Sequence, residues 1–164
     1  IDFGVRIGHL PDSQLVARRL GETRRVVVAS PSYLRKRGRP KHPDELARHD
    51  TIAFMGLVPT ADWRFAAEGK ELGKELSVRV TPRLVTNSGD AAVRYAIQGG
   101  GLALALSYQV REAIAGGDLT EVLAPFSLPP LPIQAVYPSS RLVSNKVRAF
   151  VDMLDKSADW RFSP

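Results

Sequence analysis

Residues 80–106, VTPRLVTNSGDAAVRYAIQGGGLALAL, constrain the fold more than any other stretch, because they spell strand, polar elbow, helix, glycine stop and apolar strand in succession. Leu84 to Thr86 reads as a short strand. Asn87 and Ser88 are residue types that cap helices, accepting bonds from the unpaired amides of a first turn. Asp90 follows where the helix dipole favours an acid. Ala92, Val93, Ala96 and Ile97 recur as one apolar stripe of a helix that Gly99, Gly100 and Gly101 terminate. Leu102 to Leu106 has no polar residue, the pattern expected of a parallel strand covered on both faces.

Such an elbow is a place where ligands can gather, since free amides and the helix dipole favour anions and small carboxylates at a helix N-terminus. The competing reading is an ordinary β-α-β unit whose capping residues only cap, and every α/β protein contains several. These residues alone leave both readings open.

The rest of the chain supplies further elements. Residues 2–8 alternate, with Phe3, Val5 and Ile7 on one face, a half-buried strand. Strands are predicted over 15–20 and 25–29. Ser30-Pro31 fits an N-cap and first helical residue, opening a short helix that Gly38 stops. One helical turn is predicted over 43–46 and a strand over 51–55. Trp63, Phe65, Leu76, Val78 and Val80 suggest an antiparallel hairpin on the edge of its lobe. A helix over 108–115 ends at Gly116-Gly117, and a short strand follows over 119–123. Residues 125–132 hold four prolines, which predicts a connecting loop outside any sheet. Residues 133–137 alternate, and Ser144 is placed to cap a last helix with Val147, Phe150, Val151 and Leu154 on one stripe. No internal repeat or low-complexity tract is found.

At 164 residues the chain can form one large domain or two small lobes, and its hydrophobic content is ordinary for a soluble globular protein. No run approaches the roughly 20 apolar residues of a membrane span. The opening IDFGVRIG reads as a strand already in progress, so the chain is expected to be a piece of something longer. With no cysteine, disulfides, thiolate metal sites and thiol catalysis are excluded. The net charge of +6 permits attraction to anions or nucleic acid, yet the basic residues form separate islands with few aromatics among them. RKRGRPK, residues 35–41, is more commonly a charged helix end and loop than a nucleic-acid patch.

Catalytic constellations find no support. His9, His42 and His49 show no zinc spacing, no serine stands in GxSxG, and the glycines at 99–101 end a helix where a dinucleotide fingerprint would begin one. No catalytic residue, metal or cofactor is expected.

The succession IDFGVRIGHLPDSQLVARRLGETRRVVVASPSYL (1–34), HPDELARHD (42–50), DWRF (62–65), NSGDAAVRYAIQGGGLALALSYQV (87–110) and the tail 132–154 closely resembles the C-terminal effector-binding region of LysR-type transcriptional regulators. The resemblance covers nearly the whole chain in the family's order. It implies an α/β, two-lobed type II periplasmic-binding-protein-like fold with the first lobe incomplete: 1–28 in lobe I, 29–134 in lobe II, and 135–164 returning to lobe I. The implied function is sensing a small, anionic metabolite between two lobes and transmitting it to DNA-binding domains. Carried over by position, the effector site comprises Ile7, Gly8, His9 and Leu10 with Asn87, Ser88 and Gly89. Asn87 offers a donor and an acceptor, Ser88 a hydroxyl, and Ile7 and Leu10 apolar wall; for His9, an exposed loop histidine is the commoner explanation.

The implied partners are a small-molecule effector and a second copy through the regulatory lobes. Operator DNA would be bound only through a helix-turn-helix domain that this chain lacks. No membrane partner is implied, and the location would be cytoplasmic. The alternative is a periplasmic solute-binding receptor of a transporter, on the same fold. Two departures stand out: Gly100 where the family usually has leucine, and Ser107 where it often has proline. The strand and helices that open lobe I in the family would precede Ile1, so Phe3, Val5, Val26 and Val28 are expected to lose partners and drive self-association.

Overall fold

The strands divide into three sheets that sort the chain into two compact units, residues 1–24 with 129–164, and residues 25–128. The structure is a computed structural model and describes residues 3–9, 15–67, 73–138, 145–157, 159–160 and 162.

The first unit is built on β1 (Gly4–Ile7), β2 (Leu15–Thr23) and β10 (Leu131–Pro138), in the order β1-β10-β2 and antiparallel throughout. Pro132, expected in a loop, is inside β10 opposite Glu22. It is tolerated there because the ladder uses its carbonyl, which accepts the Gly8 N–H at 2.9 Å. A register shift between Ile133 and Gln134 leaves Leu20 as an extra residue in β2. The last helix, α4 (Asn145–Ser157), is tied to this sheet by Arg18, whose guanidinium bonds Asp152 and Asp155. Val151 is its buried anchor, and Phe150 meets Phe3 edge to face. Ser144, the expected cap, lies outside the described residues.

The second unit is a five-stranded mixed sheet, order β7-β4-β8-β3-β9, from β3 (Arg25–Ala29), β4 (Thr51–Phe54), β7 (Pro82–Thr86), β8 (Leu102–Leu106) and β9 (Thr120–Val122). β8 is parallel to β4 and antiparallel to β3, so the expectation of a parallel strand is corrected to a mixed one. Its burial on both faces is as expected. Leu102 and Leu104 enter one core cluster with Val27, Tyr33, Leu46, Trp63 and Phe65; Ala103 and Ala105 enter the other with Val26, Val28, Ile52, Ala92, Ala96 and Val110. Small residues on the second face let α2 (Gly89–Ile97) and α3 (Ser107–Ala115) approach the sheet closely.

Two details correct the sequence reading of this unit. The hairpin of β5 (Asp62–Ala66) and β6 (Glu75–Arg79) is antiparallel as expected but forms a separate sheet, and Trp63 and Phe65 are core residues rather than edge decoration. Val26 and Val28, expected to lack partners, are fully buried, whereas Val5 stays 45% exposed. The units divide where the pairing changes. Among the described residues β3 bonds to strands of the second unit and β10 to strands of the first, so the division falls after Arg24 and Leu128.

The start of β4 is fixed by three local devices. α1 (Pro31–Arg37), capped by the Ser30 hydroxyl on the Tyr33 amide, carries the buried Tyr33. The Tyr33 hydroxyl accepts the Asp50 N–H at 2.9 Å and lies 3.1 Å from His49 Nδ1. That hydroxyl and ring nitrogen share one hydrogen bond, whose direction follows the tautomer of His49. Burial first, then the charge of Arg37, holds the His49 pKa below its ordinary value against the opposing pull of Glu45 and Asp50. Gly101, at φ +144°, brings Leu102 N–H to the Asp50 carbonyl at 2.9 Å.

Candidate functional site

β4, β7 and β8 run parallel, so their C-terminal residues Phe54, Thr86 and Leu106 end at the same edge of the sheet. Two helices start from that edge, α2 after Ser88 and α3 after Leu106. In α/β sheets this is the edge where ligands bind, because strand ends stop and helix amides begin.

The elbow of β7 and α2 is shaped by its own side chains. Thr86 Oγ1 accepts the Ser88 N–H at 3.1 Å, which turns the chain out of the strand. Ser88 Oγ then accepts from Ala91 N at 3.3 Å, and the Ser88 carbonyl accepts from Ala92 N at 3.1 Å. Among the described residues this leaves the amides of Gly89 and Asp90 with no acceptor, pointing along the helix axis where the dipole is positive. Asn87 and Ser88 are exposed and Gly89 half-buried, so the elbow is open to solvent. The Asn87 carboxamide makes no hydrogen bond among the described residues.

Sequence reasoning missed Gln109. It sits in the first turn of α3, and its Oε1 accepts the Leu106 N–H at 2.9 Å. That bond aims its amino group at the start of α2: a Cβ added to Gly89 would lie 2.5 Å from Gln109 Nε2 and 3.3 Å from the Phe54 ring. Gly89 is thus the residue that lets an amide donor stand against the first turn of α2. The available signal was a glutamine three residues into a helix, half of a capping box, but Leu106 in the cap position carries no acceptor to complete it. Gly100, the departure noted above, has a comparable explanation, since a Cβ there would strike the Tyr95 ring at 2.4 Å.

The other candidate residues belong to the first unit. Ile7 ends β1 and is 39% exposed, Gly8 has φ +108°, and His9 is exposed. The Gly8 carbonyl accepts from Gln134 Nε2 at 3.2 Å, which with the Gly8 N–H bond to Pro132 pins this turn to β10. Leu10 lies outside the described residues. Each set is contiguous within its own unit. Among the described residues no group of three His, Asp or Glu is spaced to hold a metal ion, and no helix is long and apolar enough to cross a membrane.

Comparisons with known proteins complete the description. The model of the LysR substrate binding domain matches residues 1–159. An HTH-type transcriptional regulator of Xanthomonas campestris pv. campestris is 39% identical over 153 residues, 93% of this chain and 44% of the relative. The regulator CrgA of Neisseria meningitidis serogroup C is 33% identical over 156 residues, 94% of this chain and 50% of the relative. The chain therefore spans about half the length of these curated relatives. Among solved structures, the CrgA regulatory domain of Neisseria meningitidis superimposes with a TM-score of 0.80 at 31% identity, over 97% of this chain and 76% of that domain. The regulatory domain of AphB in Vibrio vulnificus gives 0.79 at 25% identity, over 96% and 75%.

Proposed function

The chain belongs to the LysR substrate binding domain family, with its two-lobed periplasmic-binding-protein-like fold and its role as the effector-binding domain of a transcriptional regulator; from that premise we propose that its effector is a small carboxylate held by the elbow of α2. The observation that carries this reading is the pair of free amides at Gly89 and Asp90, with the Gln109 amino group beside them. An anion there gains hydrogen bonds that water would otherwise supply and sits at the positive end of the dipole. Asn87 and Ser88 add polar contacts. Family position adds Ile7, Gly8, His9 and Leu10 to the candidate effector residues.

In this reading the bound carboxylate shifts the balance between two arrangements of the regulator, and the shift reaches operator DNA through a helix-turn-helix domain elsewhere in the protein. A second copy joins through the regulatory lobes, and the protein works in the cytoplasm. The named relatives are transcriptional regulators, which does not favour the solute-receptor alternative.

A thermal-shift screen of aromatic and short aliphatic carboxylates tests the site. A ligand at about 100 times its Kd stabilises by roughly 2.7 kcal/mol, a shift of several degrees for a domain of this size. Asn87→Ala should shrink the shift while leaving the unliganded midpoint unchanged. A carboxylate that stabilises Asn87→Ala, Ser88→Ala and the parent chain equally would place the effector elsewhere.

A further inference from the structure

Arg25, the first residue of the second unit, and Leu128, its last, line one small crevice on the hairpin side of the five-stranded sheet. Arg64 and Phe65 of β5 form another wall, and Leu123 and Phe126 close it from the segment after β9. The closed part has room for about one water molecule, so a larger group can enter only at its open mouth. Leu123 is the only non-glycine residue with positive φ among the described residues, at +58°. A bulky side chain is seldom held in that conformation, and here it is held against the crevice.

The charge of the crevice is unbalanced. The Arg25 guanidinium is half-buried and makes no hydrogen bond or ion pair among the described residues. Burial lowers its pKa; Glu75 opposes this, and the neighbouring Arg64 adds a smaller push downward. Arg64 in turn has only a long contact to Glu75, 3.4 Å between largely exposed side chains. Two guanidiniums thus share one solvent-facing carboxylate. Guanidinium forks are shaped to take a carboxylate edge-on, and a desolvated one without an acceptor favours such a guest.

We propose that the mouth of this crevice is a second anion site, separate from the elbow of α2, which takes the head of a small monocarboxylate between Arg25 and Arg64 and leaves its short tail in solvent. The occupant would touch both residues at which the chain enters and leaves the second unit. It would therefore bear on the two crossing segments and on nothing at the α2 elbow. Glu75 competes with it for Arg64.

The test is a titration of the 15N-labelled chain with sodium propionate against sodium chloride at constant ionic strength, followed by NMR. Saturable shifts are expected at the Arg25 and Arg64 side-chain N–H groups and at the amides of Leu123 and Ser127. Arg64→Gln, at an exposed position that the fold tolerates, should weaken the apparent affinity about tenfold, the scale of one charge-assisted contact. Arg25→Gln should abolish saturation and Glu75→Gln should strengthen binding, while Ser88→Ala should leave the shifts at Arg25, Arg64, Leu123 and Ser127 unchanged. Equal response of Arg64→Gln and the parent chain, or shifts that grow linearly at every exposed arginine alike, would overturn the assignment. Loss of the response in Ser88→Ala would also overturn it, by returning the anion to the elbow.

Discussion

Replacing Gly101 by alanine tests how tightly the start of β8 is keyed to the start of β4. The backbone there has φ +144°, which side-chain-bearing residues rarely adopt, at a cost of about 1–3 kcal/mol. A Cβ would also stand 2.4 Å from the Asp50 carbonyl oxygen, a backbone atom that cannot rotate away. Moving that oxygen weakens the bond it accepts from Leu102 N–H, roughly another 1 kcal/mol. The expected loss is about 3 kcal/mol, some 10 °C for a domain of this size. Gly117→Ala is the internal control: its φ of +80° is also positive, but nothing lies within 4 Å of the added carbon. It should cost only about 1 kcal/mol. Urea unfolding of both variants, followed by far-UV circular dichroism, decides the matter. Equal losses would mean that the Asp50 contact contributes nothing and that only the dihedral matters.

Other outcomes can be stated more briefly. Because the His49 pKa is held below its unfolded value, the stabilising neutral form is fully present above about pH 6.5 and its contribution is lost as pH falls through the folded pKa. Urea midpoints at about pH 5.5 and 7.5 should differ less in His49→Gln than in the parent chain, and an unchanged difference would refute the depressed pKa of His49. Thr51 is fully buried with no partner for its hydroxyl among the described residues, so Thr51→Val should raise stability by up to about 1 kcal/mol in the same assay. Trp63→Ala should cost about 3–5 kcal/mol, since Trp63 is 1% exposed in the core; a loss under about 1 kcal/mol would restore the hairpin to the periphery.

The parts of the fold that could be read from sequence are those fixed by neighbours in the chain. Ser30-Pro31, Ser88 and Gly38 cap where they stand, because a cap bonds amides only two or three residues away. The run LALAL announced burial on both faces, since no position in it tolerates water. Alternation in β5 and β6 gave the hairpin but not its depth, because a two-residue period names a face without naming what covers it. Pro132 was misplaced because its tolerance depends on Gly8, 124 positions earlier, needing only a carbonyl. Asn87, Ser88 and Gly89 were found together as a local elbow. Gln109 was not, because its place beside Gly89 exists only once β4, β7 and β8 have aligned their ends.

The strand order of the first unit sets a timetable for synthesis. β1 and β2 do not pair with each other; each waits for β10, which lies between them and is made more than a hundred residues later. Everything needed for the five-stranded sheet leaves the ribosome before β10 does, so the inserted unit can fold while residues 1–24 are still unpaired. Closing the first sheet then spans the whole inserted unit, a long loop whose entropy grows slowly with length but must be met before any of its hydrogen bonds form. Nascent chains released before about residue 138 would hold a finished second unit while β1 and β2 still lacked β10, the strand that joins them.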